Sequence, residues 1–151
     1  MIVIEKDICL ADKGEVIIQQ VNCQNKMGSG VAKAIYTKYP EVKEKYREFC
    51  NGVEPDDLLG KFQQVKCLTD SRVVINMFSQ LNYGRDGKRY TSYRAMRRAL
   101  VDIAKMYEGA DVTFAIPYGI GANLGGGDFS EITEIINSTL KGFMIKYYKK
   151  E

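Results

Sequence analysis

Two glycine-rich stretches decide the fold: Asn22–Val31, which reads NCQNKMGSGV, and Gly119–Asp128, which reads GIGANLGGGD. Each follows a run typical of a buried β-strand and leads into a run typical of a helix. Glycine lets backbone N–H groups converge at a helix N-terminus, where the helix dipole favours an anion. Tight turns account for many single loops of this kind, but two loops in the same context indicate a clamp for a diphosphate.

Neither loop matches the two common nucleotide-binding motifs. No Gly-Lys-Ser or Gly-Lys-Thr ends either loop, which excludes a Walker A motif. The GxGxxG pattern also fails, because Leu124 takes the place of its third glycine in the second loop. The sequence therefore gives poor support for a P-loop or a Rossmann dinucleotide-binding motif.

Strand-like and helix-like patterns alternate along the chain, which predicts an α/β sandwich. The predicted strands cover residues 2–4, 16–21, 61–68, 72–78, 112–116 and 142–148. Helices are predicted at 31–39, 42–50 and 92–107, and Asp128 opens another helix with Glu131 as its capping-box partner. Residues 79–90 are predicted to form a surface loop. A length of 151 residues fits one domain over 1–151.

The composition excludes several classes of chemistry. The chain has no histidine, which removes Ser-His-Asp and Cys-His catalysis and HExxH zinc sites. Its four cysteines form no CxxC pair, so we expect reduced thiols, no metal site and no cofactor. No apolar run approaches the roughly 20 residues that span a bilayer, and the first residues do not follow the plan of a signal peptide. We therefore expect a cytoplasmic protein without membrane contact.

The charge pattern is mild overall and basic in one region. The net charge of +3 is too small to indicate nucleic-acid binding. Residues 83–98 carry six cations, at Arg85, Lys88, Arg89, Arg94, Arg97 and Arg98. A solvated helix face is the simpler interpretation, and steering of an anionic ligand or an acidic protein is the alternative. Because Tyr83, Tyr90 and Tyr93 lie in the same stretch, nucleic-acid contact stays open with weak support.

Three motifs, in the same order along the chain, resemble the macrodomain family. Residues 22–25 followed by 28–35 are similar to the NAAN…GGGVAxAI segment of that family, although the glycine run is shortened to Gly-Ser-Gly. Residues 6–8 resemble the Gly-Asp-Ile motif after its first strand. Residues 116–129 resemble its second phosphate loop, in the IGCGLxGGDW form, with Phe129 in place of tryptophan. The resemblance implies a three-layer α/β/α sandwich with a mixed sheet.

The resemblance also implies which residues would contact ADP-ribose, the ligand of that family. Asp7 and the backbone of Ile8 would contact the adenine. Asp128 and Asn25 would be the catalytic pair at the distal ribose, where Asp128 polarises a water or a hydroxyl and Asn25 orients it. The other substrate-binding residues would be Asn22, Gly28, Ser29, Gly30, Val31, Gly119, Ile120, Gly121, Ala122, Asn123 and Leu124.

A hydrolase that acts on an ADP-ribose derivative at the distal ribose is the function this resemblance favours. It would remove an ADP-ribosyl ester from a macromolecule or the phosphate from ADP-ribose 1″-phosphate. Its partner would then be ADP-ribose or an ADP-ribosylated macromolecule. The alternatives are a reader module that binds ADP-ribose without turnover and an unrelated nucleotide or RNA binder. The sequence leaves open the oligomeric state and a catalytic lysine, for which Lys26 and Lys88 are candidates.

Structural roles compete with these assignments. Asp7 could cap a turn, and Asp128 could serve as the N-cap of its helix. Asn22 and Asn25 could complete Asx-turns in the first loop. Cys23 is most simply a buried, inert thiol, because no histidine is present to activate it.

Overall fold

Strands and helices alternate in the computed structural model, which describes residues 1–28 and 30–150. The strands are β1 (Ile2–Ile4), β2 (Val16–Asn22), β3 (Phe62–Lys66), β4 (Val73–Gln80), β5 (Thr113–Pro117) and β6 (Met144–Tyr148). The α-helices are α1 (Gly30–Lys38), α2 (Glu41–Cys50), α3 (Pro55–Leu58), α4 (Tyr93–Met106) and α5 (Phe129–Thr139). A short 3₁₀ helix covers Ile8–Leu10.

The strands of the described residues form one mixed sheet in the order β1-β6-β5-β2-β4-β3. β3 runs antiparallel to β4, and the other neighbouring pairs are parallel. Because β2 and β5 are parallel neighbours, their carboxyl ends lie at the same edge of the sheet. The two glycine-rich loops, which follow these strands, therefore begin side by side.

Helices cover both faces of the sheet, each over its own hydrophobic core. On one face, Ile17 and Val74 of the sheet belong to a cluster with Ile35 of α1 and Tyr46 of α2. On the other face, the cluster includes Ile18 and Ile75 with residues of α4 and α5. These layers confirm the predicted α/β/α sandwich.

Local sequence accounts for the boundaries of α4. In α4, Met96, Leu100 and Ile103 repeat at helical spacing and are fully buried. The Ser92 hydroxyl caps this helix by accepting a hydrogen bond from the amide of Ala95 at 3.1 Å. The predicted range of 92–107 is therefore correct to within one residue at each end.

The structure differs from the prediction at three places. β4 continues through Ser79 to Gln80, inside the predicted loop, because Ser79 is buried and bonded to a polar group on β2. Pro117 is the last residue of β5 and does not follow it. α3 is a four-residue helix that the sequence analysis did not predict, although Pro55 in its first turn is a typical start.

None of the helices in the described part of the chain is long and apolar enough to span a membrane.

Candidate functional site

A cavity of about 610 Å³ lies at the carboxyl ends of the central strands, between the two glycine-rich loops. This volume is in the range of small-molecule sites. Ten of the predicted site residues line it: Asn22, Asn25, Gly28, Gly30, Val31, Gly119, Ile120, Gly121, Asn123 and Leu124. The fold therefore brings the two loops together around one space.

Four predicted site residues, Asp7, Ile8, Ala122 and Asp128, are not among the residues that line this cavity. The Asp7 carboxylate accepts a hydrogen bond from the amide of Cys9 at 2.9 Å and so caps the 3₁₀ helix. Ile8 is buried in the core beneath α1. Ser29 lies outside the described residues.

Part of the second loop combines a place at the cavity with backbone donors that have no partner. The amides of five lining residues donate to no acceptor among the described residues; these are Gly119, Gly121, Asn123, Leu124 and Gly125. The loop also bends sharply, because Gly119 and Gly121 have φ angles of 83° and 74°. Free N–H groups in a glycine-rich loop favour an anionic ligand.

A polar cluster behind the second loop fixes its position. Thr91 donates from its hydroxyl to the carbonyl oxygen of Gly121 at 2.7 Å. Gln20 of β2 donates from its side-chain amide to the Thr91 hydroxyl at 2.9 Å. The amides of Tyr90 and Thr91 both donate to the carbonyl of Gly125. We call residues 88–91 the buttress segment, since the loop rests on them.

The run of three glycines at 125–127 is explained by this contact. A Cβ atom on Gly125 would lie 2.5 Å from the Thr91 hydroxyl, and one on Gly126 would lie 2.3 Å from the Lys88 carbonyl. A Cβ on Gly127 would lie 2.8 Å from the carbonyl of Gly121. Gly125 and Gly126 are therefore needed for close packing of the loop on the buttress segment, and Gly127 for close packing of the loop on itself.

The first loop contains one structural asparagine and one that is available to a ligand. Asn22 accepts a hydrogen bond from the Gln24 amide at 2.9 Å and donates to the Lys26 carbonyl at 2.6 Å. Its side chain thus forms the Asx-turn considered as the alternative role. Asn25 lines the cavity, is exposed, and adopts a left-handed backbone with φ of 57°.

The charged residues of the lining are all cations. Lys26 of the first loop, Arg47 of α2 and Arg85 line the cavity, and the described lining contains no Asp or Glu. Such a lining attracts anions.

Of the six cations in the basic stretch 83–98, Arg85 alone is among the lining residues, whereas Arg94, Arg97 and Arg98 are exposed on α4. Between the two candidate lysines, Lys26 lines the cavity and Lys88 does not.

Hydrogen bonds hold the segment that carries Arg85. The Tyr90 hydroxyl donates to the carboxylate of Asp86 at 2.9 Å, and the amide of Lys88 donates to the same carboxylate at 3.1 Å. These bonds, the Lys88 amide first, lower the pKa of Asp86. Tyr83 and Gly84 of the same segment also line the cavity.

Asp128 has a defined structural role. Its carboxylate accepts a hydrogen bond from the amide of Ser130 at 2.9 Å, and so it is the N-cap of α5. Its own amide donates to the Tyr93 hydroxyl at 2.9 Å. The predicted capping box with Glu131 is therefore wrong, because the Asp128 amide donates to the Tyr93 hydroxyl of α4 and not to the Glu131 side chain. A catalytic role of Asp128 remains a prediction.

The cysteines are buried thiols. Cys23 is 2% exposed, and burial raises its pKa to about 12. A thiol with so high a pKa is not a nucleophile at neutral pH. The structure thus confirms that Cys23 is a buried thiol, as predicted.

Comparison with known proteins supplies the family context for this site. The macrodomain protein of Streptomyces coelicolor matches the chain with a TM-score of 0.79 and 21% identity, covering 99% of both chains. The chain has the macrodomain fold. DarTG of Thermosipho africanus in complex with ADP-ribose matches 97% of this chain, over 40% of its own chain, with a TM-score of 0.75 and 18% identity.

A curated relative matches the chain over a short segment. An ADP-ribose 1″-phosphate phosphatase from Neosartorya fischeri is 40% identical over 50 residues, which are 33% of this chain and 25% of the relative. The match therefore spans a quarter of that protein. No family model matches the chain.

Several residues that line the cavity were not predicted as site residues, among them Gln19, Gln20, Arg47 and Gln80. Two adjacent glutamines inside the otherwise apolar strand β2 were the available signal, because a buried strand seldom carries polar residues without a use. Arg47 gave no local signal, since its place depends on how α2 packs beside the first loop.

Proposed function

We propose that the cavity binds ADP-ribose, with the diphosphate against the second glycine loop and the distal ribose against the first. The observation that carries this proposal is the group of five lining amides without an acceptor among the described residues. Backbone N–H groups bind phosphate oxygens well because they are fixed in position. They are also uncharged, so the protein does not have to strip water from a charged group of its own. A diphosphate supplies enough acceptor oxygens to engage several of them at once.

The charge of the lining supports the same ligand. Lys26, Arg47 and Arg85 surround the cavity, and its described lining has no carboxylate to repel phosphate. The likeness to a structure in complex with ADP-ribose and to a protein named ADP-ribose 1″-phosphate phosphatase supports this choice among the possible diphosphates.

Hydrolysis at the distal ribose is the proposed activity. The substrate would be an ADP-ribosyl ester or ADP-ribose 1″-phosphate, and the name of the curated relative supports the second. Asn25 lines the cavity with an exposed side chain and would orient the attacked group or a water. Asp128, as the other proposed catalytic residue, would have to act from its capping position at the start of α5.

A reader module without turnover is the second candidate. The absence of Asp and Glu from the described cavity lining favours it, because a general base has to reach the proton that it removes. Both candidates predict ADP-ribose binding, and they differ only in product release.

Calorimetric titration with ADP-ribose, ADP, AMP and a short RNA tests the binding proposal. We expect ADP-ribose to bind roughly tenfold or more tightly than AMP, because AMP lacks the second phosphate and the distal ribose. Equal affinity for the two would contradict a clamp built from both loops. RNA binding without a response to ADP-ribose would favour the unrelated binder.

Turnover of the two substrate types by the wild type and by Asp128→Asn tests the activity. Asparagine caps helices about as well as aspartate, so the fold and ADP-ribose affinity should be retained. If Asp128 is a general acid or base, turnover should fall by roughly two to four orders of magnitude. Unchanged turnover in the variant would leave Asp128 as a cap, and no turnover by the wild type would favour the reader.

A further inference from the structure

Four polar side chains form a branched chain of hydrogen bonds beside the cavity, with the side-chain amide of Gln20 at its centre. Gln20 donates from Nε2 to the Thr91 hydroxyl at 2.9 Å and to Oε1 of Gln80 at 2.8 Å. Its Oε1 accepts a hydrogen bond from the Ser79 hydroxyl at 2.7 Å. Thr91 and Ser79 are buried, and Gln20 is half-buried. We call these four residues the Gln20 cluster.

Two branches lead from the Gln20 cluster to the main chain. In the first branch, the Thr91 hydroxyl donates to the carbonyl oxygen of Gly121 at 2.7 Å. In the second branch, Gln80 donates from Nε2 to the carbonyl oxygen of Asn82 at 2.8 Å. The Gln20 amide is therefore the junction between two main-chain carbonyls that lie far apart in the sequence.

These two carbonyls belong to different walls of the cavity. Gly121 lies in the second glycine loop, and Asn82 begins the segment 82–85, whose last three residues all line the cavity. Since glycine has no side chain, it is the main chain that lines the cavity at Gly84 and at Gly121. A bond that holds the main chain of either wall therefore acts on the shape of the cavity.

The carbonyls at the two ends require the same orientation of the Gln20 amide. A carbonyl can only accept, so Thr91 has to donate to the second loop and accept from Gln20. By the same rule, Gln80 turns its nitrogen toward the segment 82–85 and its oxygen toward Gln20. Both branches thus use the nitrogen of Gln20, and the Ser79 hydroxyl donates to its oxygen. Because both N–H groups are used within the cluster, Gln20 acts on a ligand through the two walls.

The second loop also packs directly on the Gln20 side chain. A Cβ atom on Gly121 would lie 3.2 Å from Oε1 of Gln20, and one on Gly125 would lie 2.9 Å from Nε2. The main chain of the loop therefore lies against the amide with no side chain between them. A rotation of this amide would displace the loop and break both branches at once.

We propose that Gln20 is a positioning residue that couples the two walls of the cavity, so that the second glycine loop and the segment 82–85 keep one mutual arrangement. This inference rests on the proposed function, because the arrangement matters for a ligand that fills the space between the walls. It goes beyond that function, since it assigns the fixed shape of the cavity to one side chain.

The first test is calorimetric titration of ADP-ribose into the wild type, Gln20→Met and Ser79→Ala. Methionine is close to glutamine in size and forms no comparable hydrogen bond. Gln20→Met should bind ADP-ribose roughly tenfold more weakly, because both walls lose their shared junction.

Ser79→Ala is the matched control, because it removes a buried hydrogen bond of the same amide and leaves both branches intact. Its ADP-ribose affinity should stay within about twofold of the wild type, even where its stability falls. Equal weakening of ADP-ribose binding in Gln20→Met and Ser79→Ala would reduce Gln20 to a structural role and overturn the inference. Unchanged binding in Gln20→Met would overturn it as well.

A mutant cycle measures the coupling itself. Thr91→Val releases the second loop, and Gln80→Met releases the segment 82–85. Each release also loosens the other wall, so the double variant should weaken ADP-ribose binding by less than the product of the two single factors. In the presence of Gln20→Met, the two factors should multiply. Because Gln80 and Thr91 also form a β-bridge, an equal deviation from the product with and without Gln20→Met would overturn the inference.

Amide hydrogen exchange without ligand separates this inference from the proposed function. The Gly127 amide donates to the Gly121 carbonyl at 2.8 Å and so reports on the second loop. Gln80→Met, in the other wall, should speed its exchange roughly threefold or more in the protein with Gln20 and leave it unchanged in Gln20→Met. If this holds and ADP-ribose does not bind, the coupling stands and the proposed ligand is wrong.

The opposite result overturns the inference and leaves the binding proposal intact. It would be an exchange rate of the Gly127 amide that Gln80→Met does not change, or changes equally with and without Gln20→Met. Should Gln20→Met not fold, as judged by circular dichroism, Gln20→Glu takes its place in the exchange experiment. A carboxylate still accepts from Ser79 but has neither of the two N–H donors.

Discussion

The hydroxyl of Thr91 donates a hydrogen bond of 2.7 Å to the carbonyl oxygen of Gly121, and this bond ties the second glycine loop to the buttress segment. The same hydroxyl accepts from Gln20 of the central strand β2 at 2.9 Å. A peptide plane that directs its oxygen toward Thr91 cannot direct that oxygen toward a phosphate. The bond therefore helps to keep the loop in a form that offers donors to the cavity.

Thr91→Val should test this relationship, because valine keeps the shape of threonine without the hydroxyl. The Gly121 carbonyl and the Gln20 amide would each lose a partner, which we expect to lower the free energy of unfolding by about 1–3 kcal/mol. ADP-ribose affinity should fall roughly tenfold as the loop loses its fixed form. Thr133→Val is the control, since the Thr133 hydroxyl donates to a carbonyl within α5. Equal ADP-ribose affinity in the two variants would contradict a positioning role for Thr91.

Gly121→Ala should disturb the second glycine loop where it packs against the rest of the protein. A Cβ at this position would meet Ile132 at 3.0 Å, and Gln20 and Thr91 at 3.2 Å each. Gly52→Ala is a close control, because Gly52 has the same φ of 74° but nothing within 4 Å of an added Cβ. Both variants should lose about 1–2 kcal/mol from left-handed backbone strain. Gly121→Ala alone should lose further stability and weaken ADP-ribose binding. Urea denaturation and calorimetry would measure both, and identical behaviour of the variants would refute a packing role.

Arg85→Gln should weaken ADP-ribose binding through loss of a cavity cation. We expect a roughly threefold to tenfold decrease in affinity at low salt, and a smaller one at high salt, where screening already reduces the attraction. Arg94→Gln removes the same charge from an exposed position on α4 outside the cavity lining. Its effect on affinity should be within about twofold, as expected for a distant, screened charge. A larger effect from Arg94→Gln would assign the basic stretch as a whole to ligand steering.

Alkaline pH should destabilise the fold through its buried thiols. Burial raises the pKa of Cys9 to about 11 and those of Cys23 and Cys67 to about 12, against an ordinary value of 9.0. Above pH 9 the unfolded chain therefore loses protons that the native chain keeps. The free energy of unfolding should fall as the pH rises from 9 toward 11.

Urea denaturation between pH 6 and pH 11 measures this dependence. The chain has no histidine, so stability should change little between pH 6 and pH 8. Cys67→Ala should start from a lower stability and show a shallower decline above pH 9, because one buried thiol is gone. A stability that stays level from pH 8 to pH 11 would show that these thiols are not protected by burial.

The sequence predicts elements well where the deciding contacts are local. The spacing of Met96, Leu100 and Ile103 defines α4, and the alternation of strands with helices gives the layers. The position of both glycine loops at one sheet edge also follows, because each comes directly after a parallel strand. Such features depend on residues that are close in sequence or on general rules of topology.

Features that depend on distant neighbours were beyond local reasoning. Tyr93 bonds to the amide of Asp128 because α4 lies beside the start of α5, so no local pattern could have replaced Glu131 as the partner. Glycines 125–127 suggest a phosphate loop in sequence, yet their close contacts in the structure are with Thr91, Lys88 and Gly121. Hydrogen bonds also join the side chains of Gln19, Asn76 and Gln63 from three strands, and only strand order reveals them.

The place of β1 at the edge of the sheet has a consequence for folding. β1 pairs with β6, and Ile2 lies opposite Lys146, so the first and last strands meet only after nearly the whole chain is available. Closing so long a loop is slow compared with forming the neighbouring pairs β3–β4 and β5–β6. During synthesis, β1 should therefore wait unpaired while the other sheet contacts form. Pulsed hydrogen exchange during refolding should show the β1 amides gaining protection last, and early protection there would point to an assembly order that starts at this edge.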